Sequence, residues 1–329
     1  MKKTIIFVLT LAVALMHVLT SCENKLEFNF GTKESKLVIN ALMNADSINN
    51  EVYVSYSGAY GATAAHDAIV RVYVNNILKE TVDQSEETKD NVGARYRIHG
   101  PFQLNDLVKI DVTTKDQNKH AWAEVKVLPK TPIEKIEASP KEYAKPILNT
   151  KFHYELKITV NDHSQGEDYY YRLIPERYIK YKRWRWKDEP DYTQEVYYTY
   201  EKRMGAYIDN DFALMDGNPI KSNDGQETAI STTYNHYGIF NNKFFKDKSY
   251  TLTISIPRMD TDHAVIRLLR ISKEEYQYIK TLNTIDSDIY GEDFSEPVIF
   301  ETNVNGGLGI VSLSSESSQK IQLAPEENN

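Results

Sequence analysis

From Phe152 to Val160 the chain alternates strictly between large apolar and polar side chains. Phe152, Tyr154, Leu156, Ile158 and Val160 fall on one beat, with His153, Glu155, Lys157 and Thr159 on the other. In an extended strand successive side chains point to opposite faces, so this period buries one face and wets the other. A helix would spread the same residues around its whole circumference. The pattern recurs at Val70, Val72 and Val74, at Ala121, Ala123, Val125 and Val127, and from Tyr250 to Ile256. Such a chain is committed to a mainly β fold.

Seven short runs follow one another after Lys36: KLVINAL, EVYVSYS, AIVRVYV, ILKETV, YRI, LVKIDVT and AWAEVKV. That density of strands predicts an immunoglobulin-like β-sandwich over residues 36–129. Asn75-Asn76 supplies residues that tolerate positive φ, as a tight hairpin requires. Pro129 and Pro132 cannot donate to a ladder and mark a boundary. The second domain, 130–329, is again β-rich and sandwich-like. AVIRLLRI, EPVIFETNV, GIVSL and KIQL read as further strands there. Ser272 and Glu275 form a capping-box pair, which predicts one short helix near 273–283. Tyr276, Ile279 and Leu282 or Asn283 would share its inner face. The segment from Tyr178 to Arg203, broken by Asp-Glu-Pro-Asp, predicts a long hairpin projecting from this domain.

The N-terminus predicts a compartment. Lys2 and Lys3 precede an apolar run from Thr4 to Val18, which ends in Leu19-Thr20-Ser21-Cys22. This order fits a secretory leader over residues 1–21. Its last four residues match a bacterial lipobox, making Cys22 the site of lipidation by diacylglycerol and palmitate-type chains. Residues 22–35 then form a polar tether. Cys22 is the only cysteine in 329 residues, which excludes an internal disulfide and a thiolate zinc site. Membrane lipid through Cys22 is thus the first expected partner, and the expected location is the outer membrane.

The segment from Lys180 to Lys187 carries five basic residues interleaved with Tyr181, Trp184 and Trp186. Basic and aromatic residues together suit single-stranded nucleic acid, but the chain without its leader has 37 basic against 47 acidic residues. That balance repels polyphosphate, and an envelope location removes the opportunity. A solvated hairpin is the plain reading of this stretch, and a partner or glycan surface formed by Trp184, Trp186 and Tyr181 is the functional alternative. Asp286 and Asp288 sit where a calcium loop has its first and third ligands. Pro297 occupies the twelfth position, where a bidentate Glu is required, so the loop 286–296 is only a weak metal candidate. The segment from Asp209 to Pro219 reads as a turn. No GxSxG elbow and no HExxH pair occurs. Catalysis and a cofactor are therefore not expected. A hydrolase stays open only because a triad is recognised by geometry.

The order of segments also resembles a known family. The lipobox Cys22, KLVINALM, DAIVRVYVNN, DYYYRL and the run EEYQYIKTL…FSEPVIFETNVNGGLGI carry the resemblance. They are similar to the Bacteroidetes lipoproteins grouped as domain of unknown function 4249. The resemblance implies a cell-envelope lipoprotein working beside a TonB-dependent outer-membrane receptor. It assigns no catalytic residue, and only Cys22 transfers as a functional position.

Overall fold

The computed structural model describes residues 34–58, 61–87, 93–116, 118–148, 150–182, 196–201, 206, 208, 211–215, 235, 237–258, 263–285 and 299–323. The fold is mainly β. Eight strands come first: β1 (Leu37–Asn44), β2 (Asn49–Tyr56), β3 (Thr63–Ala64), β4 (Ala68–Val74), β5 (Ile77–Val82), β6 (Ala94–His99), β7 (Leu107–Thr114) and β8 (His120–Lys126). Each of the seven runs read from the sequence before Pro129 lies on one of them. The β4–β5 turn uses Asn75 and Asn76 at φ 51 and 67, the left-handed pair that a two-residue hairpin demands.

Among the described residues the remaining elements are β9 (Ile133–Ile147), β10 (Thr150–Asn161), β11 (Tyr170–Lys182), β12 (Val196–Glu201), β13 (Ile239–Asn241), a 3-10 turn (Asn242–Phe244), β14 (Ser249–Pro257), β15 (His263–Ile271), one α-helix (Lys273–Ile285, here α1) and β16 (Leu308–Gln322). They build three sheets. The largest has nine strands in the order β12-β11-β15-β16-β1-β2-β3, with β13 on β11 and β6 on β2. A four-stranded sheet, β5-β4-β7-β8, and a three-stranded sheet, β14-β10-β9, complete the set.

Both smaller sheets pack on one face of the large one. Ile39, Ala41, Met43, Val52, Val54, Val311 and Leu313 meet Val70, Val72, Ile110 and Ala123 in a first core. Leu173, Ala264, Ile266, Leu268 and Ile321 meet Leu156, Ile158, Val160, Leu252 and Ile254 in a second. Each fully buried aliphatic side chain contributes about 1.5–3 kcal/mol relative to exposure. Leu269 and Ile271 point the other way and pack against Tyr276 and Ile279 of α1. The helix therefore covers the opposite face of the large sheet. Asn283, rather than Leu282, completes its buried side.

The C-terminal strand departs from the sequence reading. GIVSL and KIQL are not two strands but parts of the single 15-residue β16. Its first half runs parallel to β1, from Val38↔Leu308 to Asn44↔Ser314. Its second half is antiparallel to β15, from Arg270↔Ser315 to His263↔Gln322. The large sheet is thus continuous across the division that the prolines suggest at 129/130. Ile299 to Val304, expected as strand, has no strand conformation; Asn305 makes one isolated bridge to Trp122. The glycines after it serve close backbone approach. Gly309 sits at φ 104, and a Cβ there would fall 2.2 Å from the Ile39 carbonyl oxygen.

Candidate functional site

β16 changes cores halfway along its length, and the change is made by hydroxyls. Ser312, Ser314 and Ser315 are all buried between the apolar residues of the two halves. Ser314 Oγ donates to the Met43 carbonyl at 3.0 Å, and Ser315 Oγ donates to the Leu128 carbonyl at 2.5 Å. Ser312 Oγ donates to the carboxylate of Glu275. Each small donor meets a fixed acceptor, which removes the penalty of burying it. A polar seam results, crossing the sheet where one core ends and the next begins.

On the helix face, the seam is charged. Ser272 caps α1 by accepting from the Glu275 backbone N–H at 3.1 Å. That is one half of the capping box read from the sequence. The Glu275 side chain does not complete the box; it turns into the sheet toward Ser312. Burial pushes its carboxyl above the ordinary range, opposed by the Ser312 hydroxyl and by the charge of Arg172. Farther along the same face, Arg267 Nε reaches Glu176 at 2.7 Å and Arg267 Nη1 reaches Glu316 at 2.7 Å. Asn44 Nδ2 donates to Glu316 Oε2 at 2.6 Å. Burial alone would lower the Arg267 pKa, but the two carboxylates outweigh it and raise it. This strip ties β11, β15, β16 and β1 together.

On the opposite face the seam holds Asp162, Tyr171 and Arg270. Asp162 is buried and accepts from Ser164 Oγ at 2.5 Å, the Asp247 N–H at 2.8 Å, Asn242 Nδ2 at 3.0 Å and Tyr171 Oη at 3.0 Å. Burial acts to raise its pKa, yet these donors prevail and hold it below the usual carboxylate range. The phenol of Tyr171 is pushed up by the same burial. Elsewhere, Asp211 organises a turn by accepting from the backbone of Ala213 and Leu214 at 3.0 Å each, as the sequence reading of that segment as a turn expects.

Most of the residues singled out from the sequence cannot be compared with this geometry. Cys22, Trp184, Trp186, Asp286 and Asp288 lie outside the described residues. Tyr181 falls within β11, where its backbone pairs with Tyr197 of β12. Among the described residues the structure assembles a set that the sequence reading did not bring together: Asp162, Arg172, Glu176, Arg267, Arg270, Glu275 and Glu316. One signal was available. Arg267 and Arg270 interrupt an apolar strand at a spacing of three, and an odd spacing on a strand sends two side chains to opposite faces. Among the described residues, no group of three or more His, Cys, Asp or Glu is placed to hold a metal ion. No described helix is long and apolar enough to cross a membrane.

Fold and seam together define a class: a mainly β protein in which one continuous sheet serves two cores. The chain belongs to the family described as domain of unknown function (DUF4249), whose model matches residues 23–320. No curated protein matches it.

Proposed function

We propose that this protein is a lipid-anchored component of the outer membrane that binds a partner and does not transform it, working beside a TonB-dependent transporter. The observation that carries the reading is the leader ending in Leu19-Thr20-Ser21-Cys22. Chain geometry supports it. The packed unit starts at Ser35, and thirteen residues beyond Cys22 reach at most about 45 Å when extended. Chain entry and the β11–β12 ladder lie at opposite ends of the large sheet. β16 starts beside the beginning of β1, runs about 50 Å at strand rise, and ends beside the start of β15. β11 continues past the last of its pairs with β15, Arg177↔Ala264, to pair with β12 as far as Lys182↔Val196. A body held at one end offers the other to a partner.

The test is metabolic labelling with a fatty acid in a host that has the lipoprotein pathway. The native protein is expected to incorporate label and to fractionate with outer membranes. Cys22→Ser is expected to lose both. An unlabelled native protein that keeps its leader would overturn the anchor. Recovery from gently solubilised membranes without a barrel partner would overturn the transporter role.

A second reading is a glycan-binding module. In the sequence, Trp184 and Trp186 lie between β11 and β12. Titration with polysaccharides should change the tryptophan fluorescence of the native protein and leave Trp184→Ala/Trp186→Ala unchanged. Identical traces from the two would remove it.

A further inference from the structure

We propose that Arg270 anchors a binding site for a small organic carboxylate, opening at the seam between the two cores. Arg270 is only 7% exposed. Its Nε is sealed from solvent and has no hydrogen-bond partner. The guanidinium carbon lies over the ring of Tyr169, which covers that side of the group.

The surroundings explain why no protein group neutralises it. Its cross-strand neighbours are Tyr171 on β11 and Ser315 on β16. Both hydroxyls are committed elsewhere, Tyr171 to Asp162 and Ser315 to the Leu128 carbonyl. Asp162 is the nearby acid that its position suggests as a counter-ion. It is already saturated by four donors and makes no ion pair with Arg270 among the described residues. Elsewhere on this sheet the protein does pair its buried arginine, since Arg267 has two carboxylates. A buried cation without an anion is costly. The guanidinium fork matches the two oxygens of a carboxylate in one plane. The negative charge of Asp162, beyond Tyr171, disfavours a second negative charge on the ligand, so a monocarboxylate suits Arg270 better than a phosphate.

The test uses the purified full-length protein in detergent, with ionic strength held constant by chloride. Acetate and glucuronate are each expected to raise the melting temperature saturably, by about 2–4 °C. Glucose should not shift it, and Arg270→Met should lose the response. No shift in the native protein, or an equal shift in the variant, would overturn the site. Should Arg270→Met fail to fold, arginine-labelled native protein keeps the question open to measurement. Its Nε–H resonance, identified through Arg270→Lys, should move saturably with acetate. A resonance that stays fixed would also overturn the proposal.

Discussion

Two buried side chains make opposite demands on the proton concentration. Burial raises the pKa of Glu275 above the ordinary carboxyl range, so the folded state holds its proton more tightly than the unfolded chain. Stability from this group is full below about 4.5 and is lost as pH rises through the folded value. His153 is the reverse. It is fully buried, and burial lowers its pKa below 6.5, outweighing long backbone contacts to Lys151 and Ile147 that act to raise it. The folded state resists protonation, so stability declines as pH falls below 6.5. Glu275→Gln keeps an acceptor for Ser312 and removes the proton linkage. Urea unfolding across a pH series should show it more stable than the native protein at neutral pH, with a shallower loss above pH 4.5. Asp211 is raised in the same sense and will leave some residual slope. His153→Leu should instead flatten the acid side of the profile. Profiles parallel to that of the native protein would contradict both assignments. At this scale the sequence says little. Glu275 was legible as a capping residue, but its buried acceptor role depends on Ser312, 37 residues away.

Elements were legible where their patterning is local. The seven early strands, β10, β14 and α1 all follow from period or cap chemistry. β9 did not. It contains Pro140 and Pro146 among alternating Lys and Glu, which disguises it. It is an edge strand pairing only with β10 in its sheet, where prolines and charges deter unwanted pairing. Ile299 to Val304 failed in the opposite direction, since apolar content without a pairing partner does not make a strand. For α1, the cap makes a quantitative claim. Ser272→Ala should cost about 1 kcal/mol of stability, within a range of roughly 0.5–2, measured by urea unfolding. No loss would mean that the hydroxyl does not stabilise the helix start.

Across the whole molecule, the shared sheet predicts that the cores melt together. Leu313 is buried in the first core and Leu268 in the second. Leu313→Ala and Leu268→Ala should each cost about 2–5 kcal/mol, and each should lower one common calorimetric transition. Two transitions moving independently would show that β16 does not couple them. The prolines near residue 129 told where the local texture changes. They carried no information about Val304, Val311 and Leu313 returning to the first core, because a pairing between distant segments leaves no local mark. That pairing also sets a schedule. Asn40 and Ile310 are joined by a hydrogen bond 270 positions apart, so β1 must wait beside an empty berth until nearly all of the polypeptide has emerged. A chain threaded across a membrane from its N-terminus would spend that interval with an open edge, and topologies of this kind fold slowly. If the chain is exported as proposed, such a strand order calls for an escort in place of rapid self-assembly.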